Sequence, residues 1–198
     1  EIDLDAIERA ITTRTRLLVL NDLQNPTGAE ASPRELERLA ELAIKHDLIV
    51  LCDEAYFDIR YSGRSRSLAS LPGMEERCLI LYTFSKKFAM TGWRLGCAVA
   101  PTNVADQIAK LNTNDESCTT HFVQAAGVEA LRYPSGGVPI LAELQRRRDA
   151  AVAALAAVPG VRCATPEATF YLFPNVTEAV ARSASPASRQ WSARIVAA

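Results

Sequence analysis

The chain has 198 residues, of which 48% are hydrophobic and 23% charged, and its formal net charge is -1. That balance describes a globular protein of one domain with part of another, and it excludes the strongly basic surface that nucleic acid or an anionic membrane would need. No apolar run reaches the length of a membrane span, and the opening residues lack a secretory pattern, so the expected compartment is the cytoplasm.

Leu4, Ile7, Glu8 and Ile11 recur at helical spacing, and an apolar strand is expected over 15–20. A loop over 21–31 follows. Ser32, Pro33 and Glu35 supply an N-cap, a first-turn proline and a capping-box carboxylate, which predicts a helix to about His46 with a break at Asp47. Leu48-Ile49-Val50-Leu51-Cys52 is a continuous apolar run closed by Asp53-Glu54, the pattern of a buried parallel strand. A polar connection over 63–73 leads to a strand over 78–84, and a further strand is expected over 93–100, where Gly96 marks a bulge or a close approach.

Helices are expected over 104–111, 119–131 and 138–158, then two short strands over 161–163 and 169–173. Arg146-Arg147-Arg148 reads as a solvated helix face, and Tyr171 and Phe173 as core of the smaller unit. Alternating strands and helices predict an α/β layered fold with ligands beyond the carboxyl ends of the strands. The domain reading is 1–135 for a larger α/β unit, 136–177 for a connecting helix with part of a smaller unit, and 178–198 for an irregular, loosely packed tail.

Five cysteines stand singly without a C-x-x-C pair and read as small buried hydrophobes, and the two histidines, His46 and His121, do not form a metal-ligand pattern. His121 reads as a helix-start residue, and Asn175-Val176-Thr177 fits a glycosylation acceptor without any sign of secretion. A nucleotide hydrolase is the rival from another class, since the strand ending in Asp53-Glu54 suits a magnesium ligand. The G-x-x-x-x-G-K-[ST] loop it requires is not in the sequence.

The chemistry converges on three loops that each follow an expected strand. Lys86 and Arg94 stand eight positions apart in an apolar, glycine-broken stretch. A lysine whose charge is disfavoured can form a Schiff base with a carbonyl, and an arginine is a permanent, bidentate anion clamp. Pyridoxal 5'-phosphate (PLP) carries an aldehyde and a phosphate together. Asp53 suits its pyridine nitrogen, Tyr56 and Asn25 its ring oxygen, and Thr83 and Ser85 its phosphate beside Arg94. Pro26 and Gly28 would shape the turn that presents Asn25, and Trp93 would pack beside Arg94.

These residues resemble the class I and II aminotransferases, PLP enzymes of fold type I. Asn25-Pro26-Thr27-Gly28 is similar to the family's N-P-T-G loop, Asp53-Glu54-Ala55-Tyr56 to its D-E-x-Y, and Ser85-Lys86 through Gly92-Trp93-Arg94-Leu95-Gly96 to its S-K-x(5)-G-W-R-x-G. The segment 166–174 is similar to its P-x-x-x-F-Y-x-F-P-like pattern. In that pattern the lysine precedes the arginine by eight positions, which selects Lys86 over Lys87; Lys87 is expected to be solvated or near the phosphate.

The resemblance implies an α/β three-layer sandwich with a mainly parallel sheet, part of a PLP fold type I large domain, plus part of a small α+β C-terminal domain. It implies a homodimer that moves an amino group from an amino acid to a 2-oxo acid, with Lys86 as Schiff-base lysine and general base and no metal. Within the same fold, a PLP lyase or decarboxylase and a truncated domain without turnover are the alternatives. The family's phosphate loop, ring-stacking aromatic residue and dimer arm precede the matched motifs. For its C-terminal arginine that grips the substrate α-carboxylate, Arg194 is the nearby candidate, in surroundings that do not match.

Overall fold

The computed structural model describes residues 2–133, 135 and 138–182. Helix α1 (Leu4–Ala10) leads to strand β1 (Leu17–Asn21), helix α2 (Pro33–Lys45) and strand β2 (Ile49–Asp53). Strand β3 (Cys78–Thr83) runs directly into the single helical turn α3 (Phe84–Lys87), and a 3-10 turn (Thr91–Trp93) precedes strand β4 (Gly96–Val99). Helices α4 (Thr102–Asp115), α5 (His121–Arg132), α6 (Val138–Ala156) and α7 (Thr177–Arg182) complete the order.

The strands form one sheet in the order β1-β2-β3-β4. β1, β2 and β3 are parallel, and β4 returns antiparallel to β3. Leu18, Leu20, Val50, Cys52, Cys78 and Ile80 share one face with α1 and α2, where Leu36, Leu39 and Ala43 meet them in the main core. Because side chains alternate along a strand, the neighbouring positions Leu17, Val19, Asn21, Leu51, Asp53, Leu81 and Thr83 fall on the opposite face.

Helix α2 begins as its sequence requires. The Ser32 hydroxyl accepts from the Glu35 amide at 3.3 Å, while the Glu35 carboxylate accepts from the backbone of Ser32 at 2.7 Å and of Ile2 at 2.6 Å. These bonds hold the Glu35 carboxyl down to about 2. Asp47, at φ 50, ends the helix in the left-handed region and turns the chain into β2.

Several expectations differ from the structure. Only 96–99 of the expected strand over 93–100 is extended, because residues 91–93 form a 3-10 turn and Arg94 is left-handed at φ 54. Gly96 is a close approach: a Cβ there would lie 2.9 Å from the Tyr82 carbonyl oxygen. Of the expected strand over 161–163 only an isolated bridge of Arg162 with Asn175 is present, and 169–173 is not extended into a strand; the bridge of Arg60 with Ala168 lies just before it. The tail expected to be irregular from 178 begins inside α7; its remainder, with Arg194 and the serine-rich stretch 183–188, lies outside the described residues.

The arginine triplet divides. Arg146 and Arg147 pair with Glu143 on the surface, but the Arg148 side chain lies 4.3 Å over the Tyr61 ring and donates to the Pro166 carbonyl at 3.0 Å. Of the cysteines, Cys52 and Cys78 are buried, Cys163 is half-buried, and Cys97 and Cys118 are exposed, so the buried reading holds for two of them. Phe173 is exposed rather than core.

Candidate functional site

The register of the sheet assembles the site's floor. Asn21 stands opposite Asp53, Asp53 opposite Leu81, and Thr83 opposite Gly96, so Asp53 and Thr83 share the face away from the main core, at the carboxyl ends of neighbouring parallel strands. The loops that follow these three strands carry the sequence-derived candidates. They meet at a ligand position favoured by open α/β sheets.

Tyr56 lies at the centre. Its ring is 3% exposed, and its hydroxyl meets the Tyr171 hydroxyl at 2.5 Å. Burial first, and that hydrogen bond second, push the Tyr56 phenol well above its ordinary value, with the Asp53 charge adding in the same direction. Lys86 Nζ lies 5.3 Å from the Tyr56 ring centre and 5.5 Å from that of Phe170. Among the described residues it has no carboxylate partner and no hydrogen bond. Tyr56 thus lies beside Lys86 and within reach of the Asp53 charge.

Lys87 is sheltered rather than solvated, with its side chain 20% exposed. Its Nζ donates to Asp58 Oδ1 at 3.0 Å, and the other oxygen of Asp58 accepts from the Tyr82 hydroxyl at 2.7 Å. Burial, then the bond to Asp58, pushes the Tyr82 phenol up.

The loop bearing Asn25 is closed by Gly28 N–H donating to the Gln24 carbonyl at 2.7 Å, and the Asn25 backbone N–H donates to Asn21 Oδ1 at 3.0 Å. The peptide bond between Asn25 and Pro26 is cis. Gly28 is required twice over: its φ is 68, and an added Cβ would lie 3.1 Å from Pro166 Cβ. This contact seats the loop on the segment 166–171, which brings Phe170 and Tyr171 to the site. The side-chain amide of Asn25 is exposed and makes no hydrogen bond among the described residues.

Ser85 and Thr83 sit beneath Lys86. Thr83 caps α3, its hydroxyl accepting from the Ser85 amide at 3.2 Å and donating to the Leu95 carbonyl at 3.4 Å, so its hydroxyl is committed to the turn. Ser85 is buried, and its carbonyl accepts from the Thr91 hydroxyl at 3.1 Å. Arg94 donates to the Thr91 carbonyl at 3.0 Å and lines an open cleft of about 690 Å³ with Trp93, Thr119, Thr120 and Phe122. Thr91 is therefore the link between Ser85 and Arg94, and Arg94 is joined to Lys86 through this turn rather than by direct contact. Trp93 is exposed and meets Phe122 edge-on at 6.5 Å.

Helix α5 supports the same turn from behind. A Cβ on Gly127 would run into the Leu95 side chain and come within 3.5 Å of the Phe84 ring, so the absence of a side chain there lets the helix close on α3.

Sequence reasoning missed Asp58 and misplaced Phe170 and Tyr171. The Phe170-Tyr171 pair carried a signal, two aromatic residues in a matched segment, which was assigned to a strand instead. Asp58 carried none, because its partners are 24 and 29 positions away.

A mainly parallel sheet with helices, shared with solved aminotransferases, makes this an α/β protein of the PLP fold type I class. The family model described as Aminotransferase class I and II matches residues 1–194, and the chain belongs to that family. An aspartate aminotransferase of Musicola paradisiaca is 38% identical over 180 residues, covering 89% of this chain and 44% of that protein. The crystal structure of the aspartate aminotransferase from Rhizobium meliloti superposes with a TM-score of 0.85 at 35% identity, over 90% of this chain and 46% of that one. The aromatic aminotransferase from Pyrococcus horikoshii does so with a TM-score of 0.82 at 36% identity, over 88% and 48%. The chain spans about half the length of the relatives it matches.

Proposed function

We propose that this chain is the lysine-bearing part of a PLP-dependent aminotransferase that moves an amino group from an amino acid to a 2-oxo acid. The observation that carries the reading is Lys86: among the described residues its amine has no hydrogen bond or ion pair and lies against two aromatic rings, while the adjacent Lys87 is tied to Asp58. An unpaired amine against apolar surface is the form of lysine suited to carbonyl chemistry.

The donor set fits the cofactor. Lys86 would hold the aldehyde carbon, Asp53 the protonated pyridine nitrogen, Tyr56 and Asn25 the ring oxygen, and Ser85, Thr83 and Arg94 the phosphate. Of these, Ser85 and Arg94 are linked through Thr91, and the Thr83 hydroxyl would have to share its bond to Leu95. When bound, PLP supplies an electron sink for a carbanion at the substrate Cα. Lys86 would be the base placed to carry the proton of the substrate Cα. Phe170 and Tyr56 limit water around that amine, and Tyr171 holds the Tyr56 hydroxyl in place.

Absorbance titration of the chain with PLP tests the reading. The expected result is a new absorbance band, absent from free PLP and from the chain alone, which Lys86→Ala abolishes while Lys87→Ala retains it. Equal bands in wild type and Lys86→Ala remove Lys86 from the role. A band without amino-group transfer assigns the 198-residue chain cofactor binding without turnover.

A further inference from the structure

We propose that Asp58 is a positioning residue that selects between two adjacent lysines, tethering Lys87 so that only Lys86 is free to meet an aldehyde. The inference rests on the reading of Lys86 as the Schiff-base lysine, and it extends that reading to a residue outside the three matched motifs.

Lys86 and Lys87 are consecutive on α3, a single helical turn. Successive residues of a helix project about 100° apart, so the two heads leave the turn in different directions. The backbone alone does not keep them apart, because each lysine has four flexible side-chain bonds and a short helix frays easily. What separates them is Asp58. Its two oxygens are divided between Lys87 Nζ at 3.0 Å and the Tyr82 hydroxyl at 2.7 Å, which fixes the carboxylate to β3 and the lysine to the carboxylate.

The pair is sheltered, with the Lys87 side chain 20% and the Asp58 side chain 28% exposed, and the Phe88 ring lies 5.4 Å from the ammonium. Lys86 points instead between Tyr56 and Phe170. Two amines of like chemistry thus have different surroundings among the described residues, Lys87 held by a carboxylate and Lys86 beside two rings. Removing the carboxylate releases Lys87 and leaves the Lys86 surroundings untouched.

The sequence contains four lysines, Lys45, Lys86, Lys87 and Lys110, so every amine can be followed by peptide mass mapping of the whole chain. Lys110 is exposed on α4, without an ion pair among the described residues, and serves as internal reference. In the first arm, trace acetic anhydride acetylates each amine, the nitrogen attacking the carbonyl carbon and acetate leaving. In the second, PLP condenses with the amine, carbon and nitrogen joining with loss of water, and borohydride delivers hydride to the new double bond to fix the pyridoxyl group.

In wild type, Lys87 acetylates more slowly than Lys110 and the pyridoxyl group is on Lys86. Asp58→Asn is expected to raise Lys87 acetylation relative to Lys110 about fivefold, the ratio a partly exposed ion pair can hold, with the Lys86 ratio unchanged. It also spreads the pyridoxyl label onto Lys87. Asp58→Glu, which keeps the charge, restores the wild-type pattern, a rescue that a loss of general structure would not give.

Unchanged Lys87 labelling in Asp58→Asn overturns the proposal, since shelter and not the carboxylate would then protect it. Parity of Lys87 with Lys110 in wild type overturns it as well, whether or not the variants fold. Absence of pyridoxyl on any lysine in wild type counts against the cofactor reading instead, and the acetylation ratios still decide the role of Asp58.

Discussion

Two phenols next to the site are held neutral by their surroundings, and the consequence is an alkaline limit to stability. Tyr56 and Tyr82 both have their ionisation pushed up, by burial first and by a bond to Tyr171 or Asp58 second. A folded-state value above the unfolded one means that the folded chain binds more protons at high pH, so this contribution is complete below the ordinary tyrosine value of 10.0 and is lost as pH rises beyond it. Urea unfolding between pH 8 and 11 is expected to show a decline that starts near pH 10 and becomes shallower in Tyr82→Phe. An equal slope in both proteins places the alkaline loss elsewhere. Gly28 gives a second residue-scale expectation. With φ at 68 and Pro166 within 3.1 Å of a new Cβ, Gly28→Ala should destabilise by about 1–2 kcal/mol through left-handed strain and contact with the segment 166–171. Thermal unfolding measures the loss, and an unchanged midpoint would mean that the loop shifts freely.

At the scale of elements, the capping box of α2 makes the clearest prediction. Glu35 accepts backbone bonds from Ser32 and Ile2, so it closes the helix and ties down the segment before α1. Glu35→Ala is expected to cost about 1 kcal/mol at neutral pH, measured by urea unfolding. The carboxyl is lowered from 4.5 to about 2, so the stability it contributes is present above 4.5 and is lost as pH falls toward 2. The variant should therefore show a weaker acid decline than wild type over that interval. A variant with the same acid decline would assign it to other carboxylates.

The same helix explains which elements were legible in the sequence. Ser32, Pro33 and Glu35 act within one turn, and the apolar run before Asp53 reports a buried strand by composition alone, so both were readable without tertiary information. The segment 169–173 was not. Its aromatic alternation suggests a strand, but Thr169 is left-handed at φ 63, its N–H donates to the Ile59 carbonyl at 2.7 Å, and its hydroxyl accepts from the Tyr171 amide at 3.2 Å. A local side-chain bond and a partner more than a hundred positions away set that conformation. Arg94 is similar, since the turn that holds it depends on Thr91 reaching back to Ser85. The motifs therefore set Lys86, Asp53 and Tyr56 in chain order, while the ties of Tyr171 to Tyr56 and of Asp58 to Lys87 arise only once distant segments meet.

For the whole molecule, the two faces of the sheet are unequal. Leu18, Leu20, Val50, Cys52, Cys78 and Ile80 lie in the core beside α1 and α2, whereas on the other face Leu17 is 50%, Val19 63% and Leu81 38% exposed. Leu17 and Val19 on β1 and Leu81 on β3 leave apolar surface uncovered on this face, and among the described residues β1 adds an unpaired strand edge beside it. That open face also carries Asp53 and Thr83 at its carboxyl end, so the site lies at the margin of the uncovered surface. The 198-residue chain by itself is therefore expected to bind an apolar dye and to elute at a size that grows with concentration. Val19→Lys puts a charge on that apolar surface and should reduce both effects without changing far-ultraviolet circular dichroism, because the side chain already faces solvent. A chain that elutes as a monomer at all concentrations and leaves the dye dark would show that this face is not adhesive, and self-association that survives Val19→Lys would direct attention to the exposed faces of α4 and α5, where Leu111 and Phe122 lie.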